Sequence, residues 1–356
     1  MSPLSKSSEE RPLAPEHTAA QSGEADAALA TPTLYLIFSH DRQRQLARLV
    51  KAIRWLSPTA RIAVHHDPQG GPLDPRLFDG IDNVHIVPDP VRGEWGDFSL
   101  VEQYLHALRW CTERLEFDWC CTLTGLSYPL RQLSEFERFL AQSGNDAYIH
   151  HFNAFDPSQW PEGTAERRFL FAYYSLPRLP YAYRIPQPVQ RLLARMRERF
   201  NRVQPFLRIV PMPRKAPTRL GIRRLHRAQG DDFLLYGGRQ MLNMNRRALT
   251  RMLDFVDTHP EWTRYARRAL IPDEFFFNSI LVNDDGLRVG NDVLRYIKWP
   301  KLHAASGAAI EADEVEQALS SGAPFGLKFD ELVAPDALDL IDDHLGLPSN
   351  PPPNPR

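Results

Sequence analysis

The feature that most constrains the fold is an alternation of short apolar runs with segments of helical periodicity. Leu34-Tyr35-Leu36-Ile37-Phe38 is too apolar to keep a wet face, so it predicts a strand buried on both sides. Leu46, Leu49, Val50 and Ile53 then recur at helical spacing. Arg61-Ile62-Ala63-Val64-His65 and Val84-His85-Ile86-Val87 predict two more strands, and Val101, Tyr104, Leu105 and Leu108 mark a helix after Ser99. Strands over 119–123 and 147–151 flank a short helix for which Ser134 and Glu137 supply a capping-box start. This order implies an α/β fold, a mostly parallel sheet with helices on both faces. Ligands of such sheets bind beyond the carboxyl ends of the strands. Those ends carry Ser39-His40-Asp41, His65-His66-Asp67 and Thr124-Gly125-Leu126-Ser127, a polar rim on an apolar floor.

A chain of 356 residues can bury a large core. The segment 1–31, rich in Ser, Glu, Ala and Pro, is expected to be a disordered tail, as is 347–356, leaving 32–346 as one domain with an Arg-rich insertion over about 178–228. A net charge of −1 gives no global field toward nucleic acid. Cys111, Cys120 and Cys121 are too few for a disulfide framework and suggest a reducing, cytoplasmic setting. Neither a Walker pattern nor GxGxxG follows the first strand, which argues against a P-loop enzyme or a dinucleotide-dependent dehydrogenase.

Between residues 178 and 227 there are fourteen Arg or Lys and one acid, Glu198, with Leu192, Leu193, Met196 and Phe200 at helical spacing. Two readings stand side by side: an amphipathic helix resting on an anionic membrane, or a solvated insertion whose arginines do nothing specific. Nucleic acid is a poorer third, because stacking aromatics are not interleaved with the charges.

Farther on, Phe233-Leu234-Leu235-Tyr236-Gly237-Gly238 leads through Met241-Leu242-Asn243-Met244 to a helix from Arg246. Then comes Ile271-Pro272-Asp273-Glu274-Phe275-Phe276-Phe277-Asn278. Proline suits the first helical position, so Asp273 and Glu274 are expected in the first turn of a buried helix, against an apolar wall. A carboxylate so placed can take a proton from a substrate hydroxyl if a pocket opens beside it; the alternative is that both acids merely complement the helix dipole. A strand over 293–299, the segment Phe325-Gly326-Leu327-Lys328-Phe329-Asp330 and a helix over 338–345 complete the order.

Eight pieces, in this order, resemble the core-2/I-branching β-1,6-N-acetylglucosaminyltransferase family, which also holds the protein O-xylosyltransferases. They are Tyr35-Leu36-Ile37-Phe38-Ser39-His40, His65-His66-Asp67, Trp95-Gly96-Asp97-Phe98-Ser99, Leu123-Thr124-Gly125-Leu126-Ser127-Tyr128-Pro129, Gly237-Gly238-Arg239-Gln240-Met241, Pro272-Asp273-Glu274, Arg295-Tyr296-Ile297-Lys298-Trp299 and Leu327-Lys328-Phe329-Asp330. The resemblance implies a GT-A-like nucleotide-sugar fold and an inverting transfer that needs no divalent metal and no other cofactor. It makes Glu274 the base and gives the donor diphosphate to Arg295 and Lys328. His40, Asp67, Trp95 and Ser127 fall on the donor side, and Asp273, Gly238 and Arg239 support the acceptor side.

Bottom-up chemistry agrees, since a departing nucleoside diphosphate builds negative charge that fixed cations can meet. No Asp-x-Asp ends a strand where a metal would need one, and Asp284-Asp285 reads as turn chemistry. Four of these residues also have a plainer reading: Asp67 an Asx turn, Trp95 and His40 packing, Arg295 a snorkelling surface residue. Ser127 stands where the family usually has an acid, which alters donor binding or sugar choice. The chain also departs from the membrane-anchored, disulfide-bearing members of animals, and a bacterial-type enzyme resting on the inner membrane face through its basic insertion fits it better. The expected activity is transfer of a sugar, N-acetylglucosamine first, from a UDP-sugar to a hydroxyl of a glycan or lipid-linked acceptor. Transfer of xylose, or an inactive glycan-binding or membrane-surface protein, is the alternative.

Overall fold

A computed structural model describes residues 32–177, 186–212, 216–225, 233–300 and 307–348. The two expected tails lie outside these residues apart from 347–348, as do parts of the Arg-rich insertion.

In chain order the described elements begin with β1 (Leu34–Ser39), α1 (Gln43–Leu56), β2 (Arg61–His66), β3 (Val84–Ile86), α2 (Ser99–Arg114), β4 (Trp119–Thr124), β5 (Ser127–Pro129), α3 (Leu133–Gln142), β6 (Ala147–Tyr148) and β7 (His151–Asn153). There follow α4 (Thr164–Phe169), β8 (Phe171–Ser175), α5 (Gln187–Val203), β9 (Leu207–Val210) and β10 (Arg219–Arg223). The last third holds β11 (Tyr236–Gly238), β12 (Asn243–Asn245), α6 (Arg246–Thr258), α7 (Pro260–Ala266), α8 (Phe276–Val282), β13 (Val289–Gly290), β14 (Arg295–Ile297), α9 (Val315–Ser320), β15 (Phe325–Leu327) and α10 (Pro335–Leu345).

Seven strands form the central sheet in the order β13-β6-β12-β4-β1-β2-β3. It is mostly parallel, as expected, with β12 alone running against both of its neighbours. Smaller sheets are β8-β10-β9, β11-β7 and β14-β15-β5.

The pleat of β1 divides the core. Leu34 and Leu36 face a cluster built with α2, α6, α7 and α8, while Tyr35 and Ile37 face one built with α1, α3, α9 and α10. All four side chains are fully buried, which is why the run lacks any polar alternation. Each such aliphatic side chain contributes about 2 kcal/mol relative to exposure. Local chemistry sets the ends of the covering helices. The Asn245 side chain accepts from Ala248 N (2.8 Å) to start α6, and α10 begins at Pro335 and stops at Gly346, whose φ of 65° suits a left-handed cap.

Two expectations fail locally. The capping box at Ser134 does not form: α3 starts at Leu133, and Glu137 turns into the core to accept from Tyr35 Oη (2.8 Å) and Ser57 Oγ (2.6 Å). Pro272-Asp273-Glu274 is a single 3-10 turn rather than the first turn of a long helix, and α8 begins only at Phe276. Cys111, Cys120 and Cys121 are buried thiols on both faces of the sheet.

Candidate active site at the carboxyl edge of the sheet

The loops leaving β1, β2 and β4 interlock. A Cβ on Gly70 would overlap the His40 carbonyl oxygen, so glycine is what lets the loop after β2 close against the loop after β1. Beneath them Ser39 Oγ lies 2.8 Å from His66 Nδ1, both buried, and the outer nitrogen of His66 has no partner. His40 itself is exposed on the rim.

Asp67 is buried and fully engaged. One oxygen accepts from Gln69 N (2.8 Å), the Asx turn of the plainer reading; the other accepts from Gly93 N (2.8 Å) and Gln103 Nε2 (2.7 Å). The carboxylate thus pins the 91–93 loop over the end of β2. Ser127 is likewise committed, its Oγ accepting from Thr124 N (3.1 Å) to close the turn after β4. The uncharged hydroxyl in place of an acid therefore has a structural use here.

Trp95-Gly96 meets the acidic turn directly. Ile271 N donates to Gly96 O (3.2 Å), Gly96 holds φ 73° and Ile271 holds φ 51°. A β-branched residue with positive φ is strained, and such strain persists where the surroundings dictate it. It aims the two acids differently. Asp273 points inward, is buried, and leaves Oδ1 without a partner. Burial first, and the adjacent Glu274 charge second, push its carboxyl up to about 7. Glu274 points outward with its side chain 33% exposed, and Oε2 accepts from Arg168 Nη1 at 2.6 Å.

Arg168 was not found by sequence reading. It sits on α4, its side chain is 9% exposed, and its guanidinium lies 4.3 Å from the centre of the Trp160 ring. A cation stacked on an aromatic face and bonded to Oε2 holds the Glu274 side chain in place and leaves Oε1 for a ligand. The pair is 106 residues apart in sequence, so no local pattern could have signalled it. The turn also reaches the rim: burial first, with the Asp273 charge adding to it, raises the Tyr104 phenol, and the Tyr104 ring stacks on Phe38 at 3.9 Å at the end of β1.

The cations divide differently from expectation. Arg295, which the resemblance gives to the donor diphosphate, is not the surface residue of the plainer reading. Its side chain is buried between the sheets and donates to Leu294 O (2.7 Å), Thr122 O (3.1 Å) and Asn243 Oδ1 (3.1 Å), with Phe325 beneath at 4.8 Å. Burial lowers its pKa to about 10, so it stays charged while tying β14 to the central sheet. Arg295 pairs with Phe325 across the parallel β14–β15 ladder, and Lys328 follows just past the end of β15.

Lys328 is half-buried, and its ammonium makes no ion pair among the described residues. It stands beside the turn after β4, because Phe329 N donates to Leu126 O (2.9 Å). Arg239 is the second unpaired cation. Thr122 N donates to Leu242 O, so 239–241 run past the carboxyl end of β4 and set Arg239 on the same edge. Its guanidinium is half-buried, lies 4.8 Å from the centre of the Trp299 ring and makes no ion pair among the described residues. Its charge adds to the burial that pushes His150 down to about 4. Gly238 before it is required by crowding, since a Cβ there would overlap His150 O and the Asn278 side chain.

Among the described residues no three His, Cys, Asp or Glu side chains converge as a metal-ligating group. Asp284 accepts from Gly286 N (3.0 Å) and pairs with Arg251 (2.6 Å), which is turn chemistry. A groove of ≈ 950 Å³ between α2 and α7 is lined by Glu102, His106, Arg109 and Arg267, and neither Asp273 nor Glu274 lines it.

No protein-family model matches the chain, and no curated protein matches it. Among solved structures, a galactosyltransferase, LgtC, in complex with donor and acceptor sugar analogs is similar over 89% of this chain and 98% of its own, at 10% identity and a TM-score of 0.36. A likeness that loose carries neither residues nor activity across.

Proposed function

We propose that this protein is a GT-A-like glycosyltransferase that moves a sugar, N-acetylglucosamine first, from a UDP-sugar to a hydroxyl of a glycan or lipid-linked acceptor with inversion. The observation that carries the reading is the acidic turn: Glu274 with one oxygen held by Arg168 and the other open, backed by a buried Asp273 at the carboxyl edge of the sheet. The acceptor oxygen attacks the anomeric carbon as Glu274 takes its proton. The bond from that carbon to the donor diphosphate breaks, and its electron pair stays on the departing oxygen. Lys328 and Arg239, neither of which makes an ion pair among the described residues, stand on this edge and would meet that charge, with Arg295 bracing the sheet behind them. Stabilisation by fixed cations is what the family resemblance implies for a metal-independent enzyme.

The test is UDP release from a panel of UDP-sugars, UDP-xylose included, in the presence and absence of EDTA. The reading expects one donor to be turned over at the same rate in chelator, with the K328A/R239A double variant losing donor-induced thermal stabilisation. Release that stops in EDTA refutes the metal-independent mechanism, and a panel with no thermal response to any donor refutes the transferase reading.

A further inference from the structure

We propose that α5 is an in-plane anchor that seats this protein on an anionic lipid surface. The helix spans Gln187–Val203 and has no buried residue. Leu192, Met196 and Val203 are 57%, 59% and 75% exposed, and Leu193 and Phe200 join them. At helical spacing these side chains, with Val189, fall within an arc of about 100° and make a stripe roughly 21 Å long. The stripe faces away from the body. α5 is held to β9 through a different side, where Asn201 Nδ2 donates to Ile209 O (3.0 Å) and its Oδ1 accepts from Ile209 N (2.9 Å).

Charge names the occupant. Arg197 and Arg199 flank the stripe on its two edges, Arg191, Arg195 and Arg202 lie behind it, and Glu198 is the one acid of the helix. A second copy of α5 laid against the first would bring arginines against arginines. A bilayer with anionic headgroups offers an apolar layer to the stripe and phosphates on both sides of it, which the flanking arginines reach with their long stems. The helix also sits where an anchor serves the reaction. It is inserted between β8 and β9, and β8 contributes Phe171 and Tyr173 to a small cluster with Leu270, against which Ile271 packs, next to the acidic turn.

The experiment is co-sedimentation of the full chain with vesicles of phosphatidylcholine alone and of phosphatidylcholine with phosphatidylglycerol, at low and high salt. The expected result is binding only to the anionic vesicles, weakened at least tenfold in L192E/M196E and in R197E/R199E and reduced by salt in the wild type. These surface substitutions leave UDP release from a soluble donor unchanged, so membrane binding and transfer are read separately. Wild-type protein that stays in the supernatant with anionic vesicles overturns the proposal. So does either double variant binding like the wild type, or self-association without vesicles that L192E/M196E abolishes.

Discussion

Asp273→Asn separates two accounts of the acidic turn, because a carboxyl raised by burial leaves a signature in stability against pH. Its ordinary value is 3.8, and in the fold burial and the Glu274 charge bring it to about 7. A group raised in the native state contributes its stabilisation fully below its unfolded pKa and loses it as pH rises through the folded one. The wild type should therefore weaken between about pH 4 and pH 7 and level off above. A shift of about three units, at about 1.4 kcal/mol each, makes the loss on the order of 4 kcal/mol. Asparagine removes the titration but buries an amide where Asp273 Oδ1 finds no partner, a cost of about 1–3 kcal/mol. The variant should thus be less stable than the wild type at pH 4 and more stable at pH 8, by roughly 2 kcal/mol, with a flatter profile between. Urea unfolding of both proteins from pH 4 to pH 8 measures this directly. Parallel curves over that range would refute the claim that Asp273 is held protonated by its surroundings.

Three further outcomes follow from the same geometry. Replacing Arg168 with Met removes the donor that holds Glu274 Oε2, so kcat for UDP release should fall by about 10–100-fold with the KM for the donor little changed, and Arg168→Lys should restore part of the rate; an unchanged kcat would deny Arg168 its positioning role. Gly238→Ala drives a methyl into His150 O and should cost about 3 kcal/mol or more in thermal or urea unfolding, whereas Gly80→Ala, at a position with open space, costs only what its φ of 77° imposes. Arg295→Met should lower stability while leaving the KM for the donor within about twofold, because its donors serve the Leu294 and Thr122 carbonyls and Asn243 Oδ1; a tenfold rise in KM would place Arg295 at the donor site.

The central fold was legible wherever strands are buried on both faces. β1, β2 and β4 announce themselves because each carries a run of consecutive apolar residues, with its polar residues mainly toward the ends, and the helices that cover them repeat apolar residues at helical spacing. Legibility ended where a distant partner outweighed a local rule. Ser134 and Glu137 have the spacing of a capping box, yet Tyr35 and Ser57, 102 and 80 residues away from Glu137, claim its carboxylate. A sequence motif likewise fixes the place of Arg295 in the chain without saying which way the side chain faces. In a strand one residue's register decides between a guanidinium at a cleft and one under a sheet. The acidic turn was found from Pro272-Asp273-Glu274, but the division of labour between its acids depends on the strained backbone at Ile271 and on Arg168, neither of which a linear pattern encodes.

The most direct measurement is the initial rate of UDP release by Glu274→Gln beside donor-induced thermal stabilisation of the same protein. The account predicts a rate reduced by about 10²–10⁴ with the stabilisation preserved, since the amide keeps the shape of the carboxylate and cannot take the proton. A variant that turns over at the wild-type rate contradicts it.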